Sequence, residues 1–227
     1  MLAQPEYVKS AGIVGAPIKY KWNNDRGMDL DDVQNDRLYD AVDASSFRAK
    51  MALAAVLSEW IAWRFDGHTD VTDALMRVEA AWAAVVDASY SKDLEIELVA
   101  DDDSEPVKAP LESALNHLSD AHDQYVNGSI YLAEPVMKLG MLARHVAPDK
   151  KRFDHWLSAT LARTAKVFPR GAPYDEDSET YDASAEPPVP RAFFEGDFEY
   201  TPAAAKAAIT RFLQHAKPAQ NPYLAKR

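Results

Sequence analysis

The chain has 227 residues, 47% of them apolar and 27% charged, which supports one globular domain with a sizeable core and excludes a fully disordered chain. There is no cysteine, so disulfide scaffolds, thiolate zinc sites and cysteine nucleophiles are excluded. A net charge of −11, from 25 basic and 36 acidic residues, disfavours the phosphate backbone of nucleic acid as a partner.

Scarce glycine and abundant alanine favour helix, and the expected fold class is all-α: one domain over 1–227 built as a bundle of about six helices. The helical body is expected over 23–168 and 202–217. Residues 18–22, Ile-Lys-Tyr-Lys-Trp, alternate apolar and basic. Residues 94–98, Leu-Glu-Ile-Glu-Leu, alternate apolar and acidic. Period-two alternation predicts strands, and pairing 18–22 with 94–98 would set lysines against glutamates in a small ribbon.

The first long helix is expected from Asp43 to Asp66, stopped by Gly67. It is apolar almost all round, so it belongs at the centre. Its charges Arg48, Lys50, Glu59 and Arg64 then need partners, because an unpaired buried charge is too costly. The second helix starts at Asp70 and runs to about Tyr90, with Leu75, Val78, Trp82, Val85 and Val86 on one face. Pro110 suits the first turn of a helix ending at Asn127-Gly128, with Leu111, Leu115, Leu118, His122 and Tyr125 as its stripe. The next is capped by Ser129 and runs to Val146, with Pro135 bending it or moving its start. Another follows Pro148-Asp149 and stops at Pro169, and the last runs from near Pro202 to Ala216.

Between Pro169 and Tyr200 the composition changes: five of the 14 prolines, six aromatics, and nine acids against two bases. A linker would not need those aromatics, so 169–201 is expected to be an acidic arm packed on the body. A second acidic stretch, 93–105, has seven acids and no base. The two segments carry −7 each, which leaves the remaining 182 residues at +3.

Catalytic motifs are sparse. There is no nucleophile elbow, phosphate-cradling glycine loop or dinucleotide fingerprint. Acid pairs with magnesium-site spacing, Asp70 with Asp73 and Asp120 with Asp123, sit where helix caps and solvated faces explain them. The adjacent His122-Asp123 pair is part of the pattern of the metal-dependent phosphohydrolases named after it, with His68 upstream and Asp149 or Asp154 downstream. An all-α metal-dependent hydrolase is therefore the alternative reading. Against it, His122 lies on the apolar stripe, where a core histidine is the usual occupant. A pocket lined by Trp60 and Trp63, with Glu59 or Arg64 as its polar group, is a further candidate.

Acidity confined to two segments, one interleaved with aromatics, favours a protein-binding module that takes no cofactor and steers a basic partner protein. Small acidic bacterial immunity or antitoxin proteins that neutralise a basic toxin have this charge and size. The expected contact residues are Asp101, Asp102, Asp103 and Glu105 with Tyr174, Asp175, Glu176, Asp177, Glu179 and Tyr181, the tyrosines as anchors. Residues 1–22 carry Lys9, Lys19 and Lys21 and no signal-like apolar core. No run of about 18 apolar residues occurs anywhere, so a cytoplasmic protein away from membranes is expected.

Overall fold

The computed structural model describes residues 2–23, 30, 32–95, 105–171 and 181–226. Within them are eight α-helices: α1 (Glu6–Ala11), α2 (Asp36–Asp43), α3 (Phe47–Phe65), α4 (Thr72–Val86), α5 (Lys108–Val126), α6 (Ala133–Val146), α7 (Lys150–Val167) and α8 (Pro202–His215). The fold is all-α. None of these helices is long and apolar enough to cross a membrane.

Helix α3 is the axis. Every residue of it except Trp63 is buried, and α4, α5 and α6 pack around it. Its alanines at 49, 52, 54, 55 and 62 let those neighbours approach closely. The expected start at Asp43 is corrected. Asp43 ends α2, and α3 begins after Ser46, whose hydroxyl accepts the Ala49 N–H at 3.4 Å. Asp70 accepts the Thr72 N–H at 2.9 Å in a local turn, rather than capping α4 directly. Helix α4 stops at Val86, short of Tyr90, because the Asp87 side chain opens a 3-10 turn over Ala88–Tyr90. Pro135 stands in the first turn of α6, so it moves that helix's start past Ser129.

Among the described residues there is no strand ladder, only isolated bridges joining Ser45 to Pro169, Asp66 to Thr69 and Ser91 to Leu224. Residues 18–22 therefore form no ribbon strand; 96–98 of the expected partner strand lie outside the described residues. The alternation at 18–22 has a different cause. The Tyr20 and Trp22 rings stand edge-on to His145 of α6, at 5.3 and 5.8 Å between centroids. The Tyr20 hydroxyl donates to the Pro106 carbonyl just before α5.

Residues 181–200 lie against the body. Phe193 and Phe194 are buried, and Phe168, Phe193 and Tyr200 meet edge to face at 4.8 to 6.2 Å. Arg163 of α7 holds this segment by donating to the carbonyls of Glu195 and Phe198, with its guanidinium over the Phe193 ring. The C-terminal residues fold back in turn. Lys92 N donates to Tyr223 O at 2.8 Å, Ala225 N to Tyr90 O at 3.0 Å, and Asn221 Nδ2 to Glu79 Oε2 at 2.9 Å.

The deepest charge is Glu59 on α3, fully buried. Its carboxylate accepts from Tyr7 Oη at 3.1 Å, Trp82 Nε1 at 3.0 Å and Trp63 Nε1 at 3.5 Å. Arg191 reaches it from the 181–200 segment, with Nε at 2.9 Å and an Nη at 2.5 Å. Burial alone would weaken the proton affinity of Arg191, but the facing carboxylate outweighs it and the pKa is raised. One ion pair thus ties α1, α3, α4 and a segment 132 residues away.

Removing one partner of such a pair strands the other in the core. Arg191→Ala is expected to cost about 3–5 kcal/mol. The double variant Glu59→Gln, Arg191→Ala should recover part of that loss. Urea unfolding of the two single variants and the double gives the comparison; fully additive losses would show that the pair is not coupled.

Candidate functional site

The end of α4 and the 181–200 segment are joined at one side chain. Arg48, near the start of α3, donates to Val85 O at 2.9 Å and Val86 O at 2.8 Å, the last carbonyls of α4, and to Ala183 O at 2.9 Å. A cation suits the negative end of a helix, which is why this arginine can be buried without a carboxylate of its own. Its donors leave the residues next to both acceptors on one surface: Asp87 follows Val86, and Asp182 precedes Ala183.

Those aspartates have the same local chemistry. Asp87 Oδ1 accepts from Ser89 N at 2.9 Å and Ser89 Oγ at 2.7 Å. Asp182 accepts from Ser184 N at 2.8 Å and Ser184 Oγ at 2.9 Å. Each opens a 3-10 turn, over Ala88–Tyr90 and Ala183–Ala185. These bonds lower both carboxyl pKa values, through the side chain and backbone of Ser89 at Asp87, and through the backbone and side chain of Ser184 at Asp182. Both are exposed, and both lie near enough to Tyr125 of α5 to act on its hydroxyl. The tripeptide Asp-Ala-Ser occurs at both places, but also at 43–45, where Asp43 pairs with Lys50 and Arg170, so sequence alone does not single out the pair.

The C-terminal end of α5 completes the face. Asp93 and Asp123, both exposed, lie near enough to His122 to act on its charge. Tyr125 is buried against Phe47, with its hydroxyl pKa pushed up to about 12 by burial. Nearby, the Glu186 carboxylate is turned inward. It accepts the first N–H groups of α3, from Phe47 at 3.0 Å and Arg48 at 2.6 Å, and the Tyr181 hydroxyl at 2.8 Å.

Of the expected contact residues, Asp101, Asp102, Asp103, Tyr174, Asp175, Glu176, Asp177 and Glu179 lie outside the described residues. Glu105 accepts from the backbone of Val107 and Lys108 and so caps α5, at the far end from Arg48. Tyr181 is committed within the chain. Its ring packs on Phe47, its hydroxyl bonds Glu186, and its N–H donates to Gly128 O at 2.8 Å. Asp87, Asp93, Asp123 and Asp182, which the structure brings to one end, are the acids that the sequence reading did not group.

His122 is buried, and its Nε2 lies 2.6 Å from Ser91 Oγ. Among the described residues no group of three or more His, Cys, Asp or Glu side chains could hold a metal ion. Asp123 accepts from Asn127 Nδ2 at 2.9 Å, an ordinary end to a helix. The expected pocket between Trp60 and Trp63 is also replaced: Glu59 is spent on Arg191, and Trp60 instead lines a small cleft with Tyr7 and Trp156.

Compared with known family models, curated proteins and solved structures, the chain matches none.

Burial lowers the pKa of His122 below its ordinary 6.5, against the pull of Asp93 and Asp123. The fold therefore prefers the neutral ring, while the unfolded chain takes up a proton near 6.5. The stability this residue contributes is present above that pH and is lost as pH falls below it. Urea midpoints measured between pH 7.5 and 5.5 should fall less steeply in His122→Gln than in the parent chain. Equal slopes would remove the buried neutral ring from the account.

Gly128 sits at φ +70°, and a Cβ there would meet the Tyr181 carbonyl oxygen at 2.6 Å. Gly128→Ala combines a left-handed backbone with that collision, so a loss of about 2 kcal/mol or more is expected. Faster amide exchange at Tyr181 should accompany it.

Proposed function

We propose that this chain is a protein-binding module whose acidic end captures a basic partner protein, in the manner of a cytoplasmic bacterial immunity or antitoxin protein. The observation that carries the reading is the junction at Arg48. It holds the end of α4 and the 181–200 segment together, so that Asp87 and Asp182, with Asp93 and Asp123 close by, act as one field. In this reading Asp101, Asp102, Asp103, Asp175, Glu176, Asp177 and Glu179, which lie outside the described residues, are further carboxylates offered to the partner.

Clustered like charges on a rigid support raise the rate of encounter with a cationic surface more than they raise final affinity. Fixed carboxylates suit that task, because Asp87 and Asp182 are already oriented by their own serines and lose little freedom on binding. Their lowered pKa values keep them charged well below neutral pH. The aromatic anchor in this reading is Tyr174, since Tyr181 is engaged inside the chain. The hydrolase alternative with His122 and Asp123 has weaker support, because His122 bonds Ser91 in the core.

The test is association kinetics with the protein retained by the immobilised chain from the source cell. Raising salt from about 20 to 150 mM should slow association by about tenfold and leave dissociation nearly unchanged. The variant Asp87→Lys, Asp182→Lys should slow association at low salt by a similar factor. An association rate that ignores both salt and the double variant would overturn the proposal.

A further inference from the structure

Arg64 near the end of α3 presents a charge problem that the acidic end does not solve. It is fully buried. Its Nε donates to Val146 O at 3.0 Å, the last carbonyl of α6, and its terminal nitrogens donate to Ala16 O at 2.7 Å and Pro17 O at 3.1 Å. These carbonyls satisfy its hydrogen bonds but carry no net charge. None of the ion pairs among the described residues includes it. A guanidinium in the core without a counter-ion is an expensive arrangement.

Arg64 lies in the wall of a cavity of about 190 Å³. Besides Arg64, its polar lining is Lys19, Lys150, His145 and Tyr20, and it includes no acidic residue. Lys19 and Lys150 are exposed at its rim and can turn inward. Among the described residues, two carboxylates beside these elements are otherwise engaged. Asp149 accepts the Arg152 N–H at 3.0 Å, and Glu105 caps α5. Three permanent cations and an imidazole converging on a small cavity, in a chain of net charge −11, are not explained by the packing of the helices.

We propose that this cavity is a binding site for a phosphate group, free or carried on a small molecule, with Lys19 and Lys150 as its clamp and the buried charge of Arg64 behind its wall. A tetrahedral oxyanion there supplies the nearby negative charge that Arg64 lacks, and the ammonium donors of Lys19 and Lys150 form short charge-assisted bonds to phosphate oxygens. Tyr20 joins the cavity to the start of α5 through its bond to Pro106, whereas the acidic face gathers at the other end of that helix. The two sites are thus separated by about 28 Å, the length of 19 helical residues. Repulsion between the ligand and the acidic face is correspondingly weak, and the site stands or falls independently of the partner-binding proposal.

The test is calorimetric titration of the whole chain with inorganic phosphate and, separately, with glycerol 3-phosphate, sodium chloride holding ionic strength constant. Saturable binding with one site per chain is expected for at least one probe, and the tighter of the two identifies whether the free ion or an ester is the natural source. Lys19→Gln, Lys150→Gln should weaken it by about tenfold, because two charge-assisted contacts are lost. Both lysines are exposed, so this variant should fold, which Arg64→Ala need not do. Lys206→Gln on α8 should bind like the parent chain. No saturable heat with either probe, or equal affinity in the double-lysine variant, would overturn the proposal.

Discussion

A helix enclosed on every side leaves its charged side chains no water, and the four on α3 govern what is packed around it. Each is answered differently. Glu59 draws in Arg191 and the hydroxyl and indole donors of Tyr7, Trp63 and Trp82. Lys50 is paired with Asp43 at the end of α2, and Arg170 joins the same carboxylate. Burial lowers the pKa of Lys50 and Asp43 opposes that shift. Arg48 and Arg64 take helix C-terminal carbonyls, on α4 and α6 respectively, where the macrodipole is negative. A buried ion pair is weak evidence for net stability, but it is strict about geometry. Sliding α4 or α6 along α3 by one turn would strand a charge.

That strictness carries outward to the surface. Because Arg48 bonds the end of α4 and the 181–186 segment together, the turns opened by Asp87 and Asp182 are both set near Tyr125. Because Arg64 bonds the end of α6 and residues 16–17 together, Lys19 and Tyr20 are held over the start of α7. The same device, an arginine of the central helix capping a neighbouring helix, builds an acidic face at one end of α5 and a basic cavity at the other. Opposite fields at the two ends would let one small chain carry both proposed sites without mutual screening.

The aromatic segment after Pro169 shows why composition was a good guide to contact and a poor one to role. Phe193, Phe194 and Tyr200 cluster with Phe168, and Arg163 lies across Phe193. Of its acids, Glu186 faces inward as a helix cap, and Glu195 accepts the Glu6 N–H at 3.0 Å. Counting charge along the chain treats each of these carboxylates as surface. The structure removes Glu186 from the field and adds Asp87 and Asp123, which fall outside both acidic stretches.

The sequence by itself determined the helical class, the central place of α3, the stops at Gly67, Gly128 and Pro169, and the buried stripe of α5 with His122 on it. These follow from local rules: side-chain periodicity, backbone freedom and the missing proline N–H act within a few residues. The short helices α1 and α2 gave too few turns for periodicity to register, and the alternation at 18–22 reflected rings packing on His145 instead of a strand. Only the tertiary structure decided which charges meet. Arg191 finds Glu59 across 132 residues, Arg48 finds Ala183 across 135, and Arg64 finds Val146 across 82. Electrostatic partners are selected by distance in space and by the absence of water around them, and neither quantity is written in the spacing of residues along a chain.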